Sequence, residues 1–263
     1  MMIAGIVASL VMGISLGILG AGGSLLTLPI LVYFFSVPVI DATRLSLLIV
    51  GLIALIGWVQ SLRHRDVVIS TTLSFGFPSI VGVLISRRIL LPRLPEFWVI
   101  GNQRVESSTM LLILFATVML AAAVSLLRPT QPRSNKGAPS PLVLSGLGLG
   151  VGLLAGFLGA GGGFLIVPAL LRFAALSITQ AIGTSLGVIA LQSLIGVSTE
   201  LPALPPTHSR ILLMVLGSAA IGMILGLMIR PHVQPQRLKK AFGVFVLVSA
   251  LVILGLEIMK GNL

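Results

Sequence analysis

Chemistry in this chain gathers at two short runs of glycine and hydroxyl residues, Gly22-Gly23-Ser24 and Gly161-Gly162-Gly163. Glycine lets a ligand approach the backbone, and the free amides and dipole at a helix start favour an anion. Ser46, Thr184 and Ser185 add hydroxyls that could hydrogen-bond the same anion, and Arg44 could add charge. Each has a plainer use as well. Small residues pack helices closely. Ser and Thr cap helices or bond the preceding turn. Arginine snorkels to a membrane interface. Gln192, deep in an apolar run, needs a partner, and a bond between helices is its expected use.

Other chemistries find no residues to carry them. The sequence holds no cysteine, which removes disulfides, thiol catalysis and Cys-based metal sites. His64, His208 and His232 are scattered through expected loops and make no metal set. The glycine runs follow no strand and lack the acidic residue of a dinucleotide fingerprint. No Ser/His/Asp set, H-E-x-x-H or membrane-depth acid pair supports an intramembrane enzyme. No cofactor is expected. Without a nucleotide-binding motif, the driving force for any transport would be the substrate gradient or a coupling ion, proton or sodium.

The two glycine runs belong to one repeated stretch. GISLGILGAGGSLLTLPIL at 13–31 recurs as GLLAGFLGAGGGFLIVPAL at 152–170, with 10 of 19 positions identical at an ungapped offset of 139. The register continues through Ala42/Ala181, Ser46/Ser185, Leu47/Leu186 and Gly57/Gly196. Self-similarity at a fixed offset is the mark of a duplicated fold. Beyond Leu62 the two halves share little identity, and the repeat rests on pattern alone.

Composition sets the solvent. The chain is 56% hydrophobic and 9% charged, with mean hydropathy +1.15, against about 25% charged in a soluble domain. Lipid must cover most of the surface. The net charge of +11 would suggest nucleic acid in a soluble protein. Here the basic residues sit between apolar runs, where anionic lipid heads and topology control account for them.

An all-α integral membrane protein follows, with about eight transmembrane segments in two four-segment repeats. The first repeat is 1–127, a polar Pro-rich linker 128–141 follows, and the second repeat is 142–263. An unbroken helix over the first 33 or so apolar residues would reach roughly 50 Å, against a hydrocarbon core of about 30 Å. It is expected to break at Gly20–Gly23, with half-helices ending near Leu19 and starting near Ser24. The second copy breaks between Leu158 and Phe164. The remaining spans are expected over 45–62, 67–85, 109–127, 180–199, 211–229 and 241–258. Asp41 and Thr43 are candidate N-caps, 87–107 and 230–240 polar loops, and Trp58 and Trp98 headgroup anchors. The N-terminal segment lacks the basic start of a signal peptide, and its recurrence at 152 argues against cleavage. Segments that cross fully would make the halves parallel, and segments that re-enter would make them inverted. The Lys and Arg distribution does not choose.

The paired G-x-x-G-x-G-G-[SG]-x-L-x-x-P stretches, each followed by A-x-x-x-S-L, resemble the sulfite exporter TauE/SafE family, also called the toluene-sulfonate uptake permeases. The resemblance covers nearly the whole chain. It implies a secondary transporter, in the plasma (inner) membrane of a prokaryote, for a small anion such as sulfite, sulfoacetate or a thiosulfate-like compound. The site implied is the paired breaks, with Gly22, Gly23, Ser24, Ser46, Arg44, Gly161, Gly162, Gly163, Thr184 and Ser185. Its partners would be that anion, membrane lipids and a coupling ion, with no nucleic acid. One departure is Arg44, which stands where the second copy has Gly183. Two other readings stay open: a transporter of an unrelated organic anion, and a non-transporting membrane assembly or partner protein.

Overall fold

The computed structural model describes residues 2–20, 23–95, 97–100, 103–128, 140–158, 162–174, 176–198 and 209–259. Among the described residues ten α-helices run in order: α1 Met2–Leu19, α2 Ser24–Pro29, α3 Val39–Arg63, α4 Ile69–Ile85, α5 Ser107–Leu127, α6 Pro141–Leu158, α7 Gly163–Phe173, α8 Ile178–Ser198, α9 Ser209–Ile229 and α10 Pro235–Met259. Seven of them (α1, α3 to α6, α8 and α9) are long and apolar enough to cross a membrane. The apolar part of α10 is shorter, Gly243–Glu257. Large apolar side chains on the outside, such as Leu142 at 81% and Phe77 at 69% exposure, would be untenable in water on this scale. In a membrane they face lipid.

α1 stops at Gly20, whose φ of +73° suits glycine and whose amide still bonds the Leu16 carbonyl at 2.7 Å. From Ser24 the chain runs back beside α1. Gly23 lies on the Met12 carbonyl, Thr27 donates to Met12 Sδ at 3.0 Å, and the Phe35 ring approaches Gly5 within 2.6 Å of where a Cβ would stand. Pro29 removes one amide, and the helix widens into a π turn over Ile30–Phe34. Gly162, at φ +63°, caps the start of α7 beside Ala155 and Val151 of α6.

Glycine also sets the helix pairing. Gly13 and Gly17 of α1 lie on the carbonyls of Ala219 and Met223 in α9, while Gly222 and Gly226 lie on those of Leu10 and Ile14. These pairs advance together, so α1 and α9 run parallel. α6 meets α4 in the same sense: Gly148 on Phe75, Gly152 on Ser79, and Gly82 of α4 on Leu149. α3 and α8 run antiparallel, because Gly51 meets Leu194, Gly57 meets Leu186 and Gly183 meets Ser61. α5 packs on α10, with Leu127 at the end of α5 against Gly243 near the start of α10. Buried Leu16, Leu25, Ile49, Ile53, Phe75 and Ile189 belong to the core between these helices.

Several expectations are corrected. α3 begins at Val39, not near Leu45, because the turn ends at Pro38, which needs no amide bond. Asp41 and Thr43 therefore lie inside its first turns and do not cap it; Thr43 Oγ1 donates to the Ile40 carbonyl at 2.7 Å. α10 begins at Pro235, so Arg237, Lys239 and Lys240 are helical residues and not loop. The 87–107 loop holds a π turn, Ser86–Leu90, a 3-10 turn, Leu91–Arg93, and an antiparallel ribbon of β1 Phe97–Ile100 and β2 Gln103–Glu106 with Phe97 opposite Glu106. Trp58 packs on α8, with Nε1 within 2.5 Å of where a Gly187 Cβ would stand. Of the linker, 129–139 lie outside the described residues.

Candidate functional site

Gly22 and Gly161 lie outside the described residues. Gly23 and Gly163 are buried at the starts of α2 and α7, as is Ser24. The short helices α2 and α7 touch each other. The α-carbon of Gly162 faces Ala155 Cβ at 2.6 Å and Gln192 Nε2 at 3.2 Å, distances taken from where a Cβ would stand. Glycine is thus required there by both φ and space, and the start of α7 sits beside Gln192, in the second half of α8. Gln192 accepts a hydrogen bond from Ser79 of α4, the interhelical role expected of it.

The hydroxyls divide. Ser185 donates to the Ile182 carbonyl at 2.8 Å, a bond to its own preceding turn. Thr184 Oγ1 accepts from the Val68 amide at 3.0 Å and ties the α3–α4 turn to α8. Ser46 is fully buried, and its Oγ has no hydrogen-bond partner among the described residues. Arg44 pairs with Asp41 at 3.0 Å one turn earlier on α3.

Sequence reasoning missed Arg87. Its side chain is 2% exposed at the end of α4. It donates through Nη1 to Thr43 Oγ1 at 3.2 Å and through Nη2 to the Thr43 carbonyl at 3.1 Å. The Arg87-Arg88 pair reads as a loop, but the π turn carries the helix one turn further and rotates Arg87 inward. Spacing held a second overlooked signal. Thr43, Ser46, Gly57 and Ser61 fall within about 60° of one face of α3 at 100° per residue, and that face meets α8.

Along this α3–α8 seam and its α4 flank, Ser46, Ser61, Ser86 and Ser193 Oγ and Trp58 Nε1 are buried without a hydrogen-bond partner among the described residues. Each such group costs on the order of 1–3 kcal/mol unless something completes it. Their positions run from near Arg87 and Thr43, past Gln192 and the start of α7, to Ser61 near the far end of α3. A small guest that accepts hydrogen bonds could meet donors along that whole line. Acidic side chains are scarce there: Asp66 is held at the far end by Arg230 at 3.4 Å.

Residues 5–253 match the family model described as Sulfite exporter TauE/SafE. The chain belongs to that family. It is an integral membrane protein, as the lipid-facing helices require. Two similar proteins, each named a probable membrane transporter protein, come from Xylella fastidiosa strains Temecula1 and 9a5c. Each is 30% identical over 185 residues, which cover 66% of this chain and 64% of the relative. The chain thus spans a little under two thirds of the length of these family relatives. No solved structure matches it.

Proposed function

We propose that the protein is a secondary transporter of a small oxyanion in a prokaryotic inner membrane, with a sulfur oxyanion such as sulfite or a sulfonate as substrate class. One observation carries this reading: a line of buried donors without a hydrogen-bond partner among the described residues runs along α3 and α8 past the buried starts of α2 and α7. Broken backbone at membrane depth is tolerated where it lines protein or a wet cavity. Hydroxyl and amide donors bind an anion through shared hydrogen bonds weak enough to release it. The names of the family and of the Xylella relatives support transport, and the family name supports the sulfur oxyanion.

In this reading the halves are inverted repeats. The antiparallel α3 and α8, and glycine contacts repeating 139 to 140 positions apart (Gly13 and Gly152, Gly82 and Gly222), support it. Binding draws on the starts of α2 and α7, with Gly22, Gly23, Ser24, Gly161, Gly162 and Gly163, and on Ser46, Ser193 and the Arg87–Thr43 pair. Thr184, Ser185 and Arg44 act as structural supports, since each already has a protein partner.

The test is flux of radiolabelled sulfite into sealed proteoliposomes, with taurine, sulfate and acetate as competitors. Wild type should take up sulfite, and unlabelled sulfite or sulfonate should compete better than acetate. Ser46→Ala should raise the half-saturating concentration about tenfold, the weight of one hydrogen bond to a charged group. Acetate competing best would redirect the substrate to carboxylates. No flux of any anion by folded protein would favour a non-transporting partner role.

A further inference from the structure

A second feature lies outside the seam and does not rest on the transport reading. The last turns of α3 and of α9 enclose a groove of about 580 Å³ lined by Leu55, Ile56, Val59, Ile224, Leu227 and Met228, with Gln60 and Arg63 at its end. Its apolar walls face outward: Val59 is 45% and Met228 67% exposed. Both helices end on the same side of the bundle, because Asp66 just beyond α3 pairs with Arg230 just beyond α9. Leu55 to Arg63 spans about 12 Å at 1.5 Å per residue, comparable to the roughly 15 Å thickness of one leaflet's hydrocarbon. Gln60 contacts His64 at 3.1 Å. Arg63 makes no ion pair or hydrogen bond among the described residues, and the nearby Asp66 is engaged with Arg230.

We infer that this groove binds one acyl chain of an anionic phospholipid, with the phosphate held by Arg63 at the interface. The apolar length matches one leaflet, and an unengaged guanidinium at the rim matches a phosphate in charge and geometry. Arg65, exposed just beyond it, adds to the positive rim.

The test is native mass spectrometry of the full chain released from nanodiscs holding equal parts phosphatidylglycerol and phosphatidylcholine. Wild type should retain phosphatidylglycerol preferentially. Arg63→Gln should cut that retention about fivefold, the weight of one cation at an anionic surface. Arg237→Gln, an exposed cation at the start of α10, should leave it unchanged. Ile224→Trp, which fills the groove from the other helix, should remove the retained lipid without touching the cation. Equal retention by wild type and Arg63→Gln, or no preference between headgroups, overturns the inference. So does a wild-type dimer that Ile224→Trp dissociates, because the groove would then be an interface between copies of the chain.

Discussion

A buried serine is informative when its partners are known. Ser46 and Ser185 occupy matching positions 139 residues apart, yet they differ. Ser185 bonds its own helix at 2.8 Å, while Ser46 Oγ bonds nothing among the described residues. Replacing Ser46 by Ala in protein without substrate therefore removes an unsatisfied group. It should leave the melting temperature unchanged or raise it, with a gain of up to about 1 kcal/mol. Thr184→Val removes the acceptor of the Val68 amide and should cost about 1–2 kcal/mol, lowering the melting temperature. Thermal unfolding of both variants in detergent checks the contrast, and equal losses would show that Ser46 has a partner after all. Sequence alone equated the two serines, since identity at a matching position says nothing about which carbonyl lies within reach.

At the scale of elements, the glycines of α6 separate two roles that composition merges. A Cβ at Gly152 would fall on the Ser79 carbonyl, and one at Gly148 on that of Phe75, whereas Gly146 and Gly150 have open space around them. Gly150→Ala should stabilise the helix by up to about 1 kcal/mol. Gly152→Ala should force α6 off α4 and cost about 1–3 kcal/mol. A denaturation series on the two variants reads the difference directly, and equal shifts would contradict the close α4–α6 approach. The helices flanking both glycine runs were legible in the sequence. Glycines and Pro29 stand in an apolar run too long for one crossing, and among the described residues α1 ends at Leu19 and α2 starts at Ser24. The start of α3 was not legible, because Asp41, Thr43 and Arg44 look like a turn until Arg44 pairs with Asp41 and the helix begins behind Pro38. Arg87 was hidden for a related reason: a π turn is a hydrogen-bonding choice that no residue type announces.

For the whole molecule, orientation is the property that sequence left open and that packing addresses. Lysine and arginine counts do not choose between parallel and inverted halves, because the relative sense of the two halves is set by contacts between distant segments. Here Gly51 meets Leu194 and Gly183 meets Ser61, so α3 and α8 cross in opposite senses. The chain just before α3 and the chain just before α8 must then lie on opposite faces of the membrane. Pro38 and Ser177 mark those two places, are both exposed, and stand 139 positions apart. Because the sequence has no cysteine, Pro38→Cys and Ser177→Cys each create a single thiol in an otherwise unreactive background. In sealed vesicles of one orientation, an impermeant maleimide should label one variant and leave the other untouched until the membrane is opened. A His64→Cys variant, at the end of α3, should follow Ser177→Cys, since Asp66 and the start of α8 are joined through Arg230 and the Thr179 carbonyl. Labelling of Pro38→Cys and Ser177→Cys from the same face would make the halves parallel. It would remove the inverted repeat from the proposed reading.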